Sequence, residues 1–179
     1  MQFNVGPRLV YSDYWNTLLL SAQSDIFMMC GDDCVFRTPG WDTIVERAFA
    51  ESTDKILLAY GDDTSPFGKT FATHPFIHRR WVEVVGYFSG PGFTGDFADS
   101  WVQDVADMIG RKKFLPIVTE HMHYYLQKAP DDETYQETRA RVARDKMPEL
   151  YAARLKEREA DAQKLRDVLG TPWVKNVEA

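Results

Sequence analysis

The 179-residue chain is 44% hydrophobic and 13% aromatic, which is enough to bury the core of one domain and excludes a mainly disordered protein. Asp and Glu outnumber Lys and Arg by 27 to 21, and the net charge of −6 excludes a protein-wide basic surface for non-specific nucleic-acid binding. No stretch approaches the run of about 18 apolar residues that spans a membrane, and the N-terminal residues lack a signal-peptide pattern. We therefore expect a cytoplasmic protein whose two cysteines, Cys30 and Cys34, are reduced.

Hydrophobic spacing and turn residues predict alternating helices and strands along most of the chain. In chain order they are a helix over 11–22, a strand over 26–30, a helix over 43–50, strands over 55–60 and 73–78, a helix over 79–85, a helix that ends before Gly110, and a strand over 114–118. This alternation predicts an α/β domain with a mainly parallel sheet. Residues 134–169 are rich in Arg, Lys, Glu and Ala, and we expect two helices there, separated at Pro148, which pack peripherally or against a partner subunit.

Two adjacent carboxylates, Asp32 and Asp33, follow the predicted strand 26–30 directly after Gly31. Open α/β sheets bind ligands at the carboxyl ends of their strands, and adjacent carboxylates repel each other unless a cation neutralises them. Both residues are therefore candidate ligands for Mn²⁺ or Mg²⁺. The structural alternative is a turn in which Asp side chains cap the backbone.

Two histidines, His121 and His123, follow the predicted strand 114–118. On an extended segment their side chains point to the same face, so either one can complete a metal site with the carboxylates. The structural alternative is packing or hydrogen bonding, which is the commoner role of a His-x-His pair.

A third acidic group, Asp96 and Asp99, brackets the start of the helix that follows the glycine-rich loop 89–96. A carboxylate in a cleft can take the proton from an attacking hydroxyl, which makes both residues candidate general bases. The structural alternative is a helix N-cap with an acid in the first turn. We interpret the remaining acidic pair, Asp62 and Asp63, as a solvated turn.

Candidate substrate contacts come from a basic segment and from the glycine-rich loop with its helix: His78, Arg79, Arg80, Gly92 and Trp101. The basic segment, to which we also assign His74, is suited to a phosphate or an acceptor, and a solvated helix start is the alternative. A glycine loop can close over a ligand. For Trp101, the apolar helical position favours the core over a sugar-stacking role.

The order of these signals resembles the GT-A fold glycosyltransferases, in particular the large family of nucleotide-sugar transferases related to cellulose and chitin synthases. Segment 25–36, which contains Gly31-Asp32-Asp33, resembles their strand and metal-binding acidic motif, and Thr-Pro-Gly-Trp at 38–41 resembles the turn that often follows it. Segment 78–88 resembles the Arg-rich helix that ends in Gly-Tyr-Phe before the acceptor region. Segment 95–101 falls at the catalytic-base motif, and His121 or His123 at a late metal-binding histidine.

The resemblance implies a GT-A-like, Rossmann-like α/β fold: a partial mixed sheet flanked by helices, with a C-terminal helical extension. It implies that Asp33, with Asp32 and a histidine, holds Mn²⁺ or Mg²⁺ on the diphosphate of a nucleoside-diphosphate sugar. Asp99 or Asp96 would deprotonate an acceptor hydroxyl, and a single displacement would invert the anomeric carbon. The acceptor class stays open among small molecules, glycans, proteins and modified DNA.

Two features depart from the family pattern. The base motif usually reads Glu-Asp, whereas two residues separate Asp96 from Asp99. The chain also begins after the point where the family's nucleoside-binding β-α-β unit would end, so we expect an N-terminally shortened GT-A-like core over 1–132 and a charged helical tail over 133–179. One alternative function is a non-catalytic remnant that binds a partner or a second copy through the C-terminal helices. Another is a metal-dependent phosphohydrolase or nucleotidyltransferase that uses the same carboxylates.

Overall fold

The computed structural model describes Gly6 and residues 9–174, which form a curled five-stranded sheet covered by helices. The helices are α1 (Tyr11–Ser21), α2 (Trp41–Ala50), α3 (Arg79–Val85), α4 (Ala98–Met108), α5 (Glu133–Arg144), α6 (Met147–Ala153) and α7 (Leu155–Arg166), with a 3₁₀ turn at Tyr124–Leu126. The strands are β1 (Ile26–Met28), β2 (Cys34–Phe36), β3 (Leu58–Asp62), β4 (Phe76–His78) and β5 (Lys112–His121). Within this described part, no helix combines the length and the apolar character needed to cross a membrane.

The sheet is mixed, with the strands in the order β1-β4-β3-β5-β2. Only β3 and β5 run parallel, whereas β1 with β4, β4 with β3, and β5 with β2 are antiparallel pairs. The α/β class and the mixed sheet flanked by helices are therefore present, but the expectation of a mainly parallel sheet is wrong. Three of the strands have only three residues, and so short a strand has no pattern that distinguishes a parallel from an antiparallel neighbour.

Several predicted elements agree closely with the structure. Helix α3 covers the predicted residues and ends at Gly86, whose φ of 101° is a left-handed conformation that glycine adopts without strain.

The C-terminal segment forms three helices instead of the expected two. Pro148 lies in the first turn of α6, where its missing N–H leaves no helical hydrogen bond unmade.

The core has two layers, one on each face of the sheet. Alternate residues of β3 and its approach point to opposite faces, so Leu58 and Tyr60 belong to one buried cluster and Leu57 and Ala59 to the other. The first cluster contains residues from α3 and α4, and also Met147, Ala162 and Leu165 from the C-terminal helices. The expectation of a peripherally packed tail is therefore wrong for α6 and α7, which complete the main core.

Candidate functional site

The site is built around Asp33, in the turn that joins β1 to β2. Its Oδ2 lies 3.0 Å from Nε2 of His121, at the end of β5, and accepts a hydrogen bond of 3.1 Å from the hydroxyl of Tyr135 on α5. Because Cys34 pairs with His121 in the sheet, and because the Asp33 carbonyl accepts a hydrogen bond of 2.7 Å from the Met122 backbone, the acidic turn is held against the end of β5.

Gly31 makes room for this arrangement. A Cβ atom at this position would lie 2.6 Å from Oδ1 of Asp33, closer than such atoms approach one another. The carboxylate can therefore fold back over the turn because residue 31 has no side chain.

Asp33, His121 and His123 form a group that could hold a metal ion, since one ligand atom from each lies within 4.8 Å of the others. Asp32 is exposed and is not part of this group. One carboxylate oxygen and two imidazole nitrogens fit Mn²⁺ or another transition metal better than Mg²⁺, which prefers oxygen ligands. The residues that the sequence put forward as metal ligands thus come together, with the exception of Asp32.

The neighbours of Asp33 stabilise its charged form. The hydrogen bond from His121 lowers the pKa of Asp33 to about 2, against the opposing effect of burial, and the Tyr135 hydroxyl adds to the lowering. Burial raises the pKa of Tyr135 to about 12, and the charge of Asp33 contributes. Burial, with a contribution from His121, lowers the pKa of His123. An ionised carboxylate beside neutral imidazole is the protonation state that a metal ligand set requires.

Three tyrosines surround His123, and the sequence analysis did not single them out. The ring centroids of Tyr124, Tyr125 and Tyr135 lie 4.6, 4.4 and 4.4 Å from that of His123. Tyr125 is 55% exposed, so a ring face is available to a ligand beside the metal-ligand group. A signal was present in the sequence, because two adjacent tyrosines directly follow the His-x-His pair.

Asp99 is the candidate base with the more perturbed carboxyl group. Burial raises the pKa of Asp99 to about 6, and the nearby charge of Asp96 adds to this effect. Asp96 is exposed, although partial desolvation also raises its pKa. The N-cap interpretation is wrong for both residues, because α4 begins after Phe97 and makes no side-chain cap hydrogen bond. Asp99 does lie in the first turn, where it accepts a hydrogen bond of 2.7 Å from the Ser100 backbone.

The charges of both acidic groups act on Tyr125. Burial of its hydroxyl raises the pKa of Tyr125, and the charges of Asp63, Asp99, Asp33 and Asp96 raise it further. All four carboxylates are thus close enough to Tyr125 to act on its ionisation. In the described part of the chain, no Lys or Arg forms an ion pair with any of these four. The negative charge around Tyr125 is therefore suited to a cationic ligand.

A buried polar layer lies beneath the metal-ligand group. Asp63 is buried, and its carboxylate accepts hydrogen bonds of 2.6 Å from the Thr73 hydroxyl and 2.8 Å from the Ser65 backbone. The interpretation of Asp62 and Asp63 as a solvated turn is therefore wrong for Asp63. His74 is also buried, with its ring centroid 5.0 Å from that of His121, so it belongs to this layer and not to the basic segment at α3.

Cys30 and Cys34 flank the acidic turn as neighbouring free thiols, and the Cys30 thiol donates to the Gly31 carbonyl at 3.3 Å. The interaction between the two thiols raises the pKa of Cys34, with burial adding to the effect, and lowers the pKa of Cys30.

The basic segment lies apart from this site. His78 is buried at the end of β4, where its Nδ1 accepts a hydrogen bond of 3.0 Å from the Arg80 backbone. Burial lowers the pKa of His78 to about 4. The Arg79 guanidinium donates to the carbonyls of Ala22 and Ser24 and so fastens the segment between α1 and β1. Arg80 faces Glu83 at 3.8 Å. The side chains of this segment are used within the fold.

The other two candidate substrate contacts have different positions. Trp101 is 2% exposed, and its indole Nε1 donates to Asp161 at 3.3 Å, which agrees with the core interpretation and leaves no ring face for a substrate. Gly92 lies in an exposed loop with a φ of 89°, a conformation that favours glycine.

One cleft is lined in part by His78 and another in part by Asp96, and neither is lined by Asp33 or His121. The larger, about 590 Å³, runs along β1 and α2 and is lined by Phe27, Trp41 and His78 among others. The smaller, about 360 Å³, is lined by Asp96 and by residues of α5 and α6. At the metal-ligand group, the side chains of His121 and Asp33 are 12% and 22% exposed, and the neighbouring Tyr125 is 55% exposed.

The sequence matches no protein-family model, and no curated protein or solved structure is significantly similar to it. Interpretation of the site therefore depends on its own geometry and on the motifs described above.

Proposed function

We propose that this protein is a metal-dependent glycosyltransferase, which moves a sugar from a nucleoside-diphosphate sugar to a hydroxyl acceptor. The observation that carries the proposal is the presence of two acidic groups with different protonation properties, both of which raise the pKa of Tyr125. Asp33, beside His121 and His123, is held ionised, whereas burial raises the pKa of Asp99 to about 6. Carboxyl groups with separated pKa values are suited to separate roles in one reaction.

Asp33, His121 and His123 would hold Mn²⁺, and their oxygen and nitrogen atoms fit this ion. When bound, the metal supplies Lewis-acid stabilisation of the departing diphosphate. The Tyr135 hydroxyl donates to the Asp33 carboxylate at 3.1 Å and holds it in one orientation, so the ligand is positioned before any substrate arrives.

Asp99 would act as the general base. A carboxylate with a pKa near 6 is ionised at neutral pH and is a stronger proton acceptor than an ordinary aspartate. The acceptor hydroxyl would transfer its proton to Asp99 as its oxygen attacks the anomeric carbon, and attack opposite the leaving group inverts that carbon. The exposed ring of Tyr125, beside His123, offers an apolar face for the sugar.

Calorimetric titration with nucleoside diphosphates and nucleotide-sugars, with and without Mn²⁺, tests the donor site. Binding that requires Mn²⁺ and is lost in Asp33→Asn, but kept in Asp32→Asn, supports the proposal. Asp32 is a matched control because it is adjacent and acidic but lies outside the ligand group.

Absence of nucleotide binding would contradict the proposal and favour a partner-binding protein. Release of inorganic phosphate from a nucleotide without any acceptor would instead identify a phosphohydrolase at the same carboxylates. Retention of anomeric configuration in a transferred sugar, measured by NMR, would exclude the single displacement at Asp99.

A further inference from the structure

Two buried ring nitrogens next to the metal-ligand group have no hydrogen-bond partner among the described residues: Nδ1 of His121 and Nε2 of His74. The two rings are neighbours, with centroids 5.0 Å apart and planes at 77°. His74 is 5% exposed, which leaves little room for solvent to satisfy its nitrogen. Buried polar atoms are rarely left without a partner, so this pair requires an explanation.

The other nitrogen of each ring already has a partner. Nε2 of His121 lies 3.0 Å from the Asp33 carboxylate, so Nδ1 is the nitrogen of that ring without one. His74 donates to the backbone carbonyl of Met29 through its other nitrogen, so its Nε2 has a lone pair.

A metal bound at Nε2 of His121 would fix the tautomer of that ring. The nitrogen that binds a metal must present a lone pair, so the neutral ring would carry its proton on Nδ1. Nδ1 would then be a donor on the ring next to His74, whose Nε2 has a lone pair. One hydrogen bond between the two rings would satisfy both unpartnered nitrogens.

We propose that His74 is the positioning residue of the metal site, and that its Nε2 accepts a hydrogen bond from Nδ1–H of metal-bound His121. This inference rests on the metal site of the proposed function. His74 would fix the tautomer and the ring orientation of His121 without touching metal or substrate. Metal-binding histidines almost always donate their second N–H to an acceptor such as a carboxylate, a backbone carbonyl or water, and loss of the partner typically weakens metal binding about 10- to 100-fold.

Two substitutions at His74 test the roles of its two ring nitrogens separately. The amide of Gln can reach the position of Nε2, whereas the amide of Asn reaches only that of Nδ1 and keeps the bond to Met29. We expect His74→Asn and His74→Phe to weaken Mn²⁺ binding, measured by calorimetry, about 10-fold or more. We expect His74→Gln to remain within a few-fold of the unsubstituted protein. Equal affinities for the Gln and Asn variants would overturn the inference.

A second measurement needs no variant that might fail to fold. In protein labelled with ¹⁵N at histidine, Zn²⁺ serves as a diamagnetic probe, and long-range ¹H–¹⁵N spectra report the tautomer of each ring. We expect zinc-bound His121 to carry its proton on Nδ1, with a scalar coupling across the hydrogen bond to Nε2 of His74. A zinc-bound His121 that shows no coupling to His74 would overturn the inference.

The results distinguish this inference from the proposed function. Protein that binds Mn²⁺ in the expected Gln and Asn pattern, but binds no nucleotide-sugar, would retain the role of His74 and exclude the transferase. If Mn²⁺ affinity is the same in all His74 variants and the protein transfers sugar, the proposed function is retained and the role of His74 is excluded. Absence of Mn²⁺ and Zn²⁺ binding by the unsubstituted protein would overturn both.

Discussion

Nε2 of His121 lies 3.0 Å from Oδ2 of Asp33, although 88 residues separate them in the chain. The contact joins the turn between β1 and β2 to the end of β5. A third segment reaches the same oxygen, because the hydroxyl of Tyr135 on α5 lies 3.1 Å from it. Three distant parts of the chain thus meet at one carboxylate oxygen, which makes Asp33 the best single position at which to test the site.

Substitution of Asp33 should change the acid stability of the metal-free protein. The folded-state pKa of about 2 lies below the usual 3.8, so ionised Asp33 stabilises the fold above about pH 4, and this contribution disappears as the pH falls to 2. Urea unfolding between pH 2 and 6 should therefore show a steeper loss of stability for the unsubstituted protein than for Asp33→Asn. Parallel profiles for the two proteins would mean that the contact with His121 does not persist in solution.

Substitution of Asp99 should stabilise the protein at high pH, which is opposite in sign to the effect of substituting Asp33. Its folded-state pKa of about 6 lies above the usual 3.8, so ionisation of Asp99 opposes folding, and its neutral form is favoured at low pH. We expect Asp99→Asn to raise the free energy of unfolding at pH 8 by roughly 1–3 kcal/mol and to change it little at pH 4. The measurement is chemical denaturation at the two pH values, with Asp32→Asn as the exposed control.

The same carboxyl group should determine the pH at which sugar-transfer activity falls on the acidic side. If Asp99 is the base, kcat/KM for sugar transfer rises with pH through about 6 and then levels off, because only the ionised form accepts a proton. Asp99→Asn should reduce kcat by about 100-fold or more. A limb near pH 6 that persists in Asp99→Asn would assign the base to another group, and Asp96 would be the next to test.

Gly31→Ala should separate metal binding from folding. Residue 31 does not have a positive φ, so alanine introduces no backbone strain, but its Cβ would lie 2.6 Å from Oδ1 of Asp33. The carboxylate is the end of a flexible side chain and can move aside. We therefore expect a change in unfolding free energy within about 1 kcal/mol, together with weaker Mn²⁺ binding by calorimetry. Unchanged Mn²⁺ affinity would show that the folded-back carboxylate is not needed.

The elements and the ligand residues of the site were predictable from the sequence to different degrees. Helix α3 and its end at Gly86 follow from apolar spacing and a glycine, which are local signals. The position of β4 between β1 and β3 has no local signal, because it depends on which strand packs against which after the chain collapses. Likewise, the motifs pointed to Asp33, His121 and His123 but not to the grouping of His74 with them, which only the antiparallel pairing of β1 with β4 brings about.

The contact of Tyr135 with Asp33 was also not predictable from the sequence. It lies on α5, a helix with no fully buried residue, whose sequence resembles a solvated charged segment. Periodicity identifies helices that bury one face, so it gives no reason to place a residue of α5 against Asp33. The contact depends on a single hydroxyl and could be found only from the three-dimensional structure.

The C-terminal helices should contribute to global stability, in contrast to the expectation of a peripheral tail. Leu165 of α7 is completely buried in the main core, whereas Leu155 of the same helix is 45% exposed. We expect Leu165→Ala to lower the free energy of unfolding by about 2–5 kcal/mol, since it removes buried apolar contacts and leaves a cavity. The matched substitution Leu155→Ala should change it by about 0.5 kcal/mol or less. Equal effects in urea denaturation would mean that α7 does not pack on α3 and α4 in solution. With the expected difference, removal of the chain after Asp132 would unfold the domain, so loss of a partner on such truncation could not by itself locate an interface in the tail.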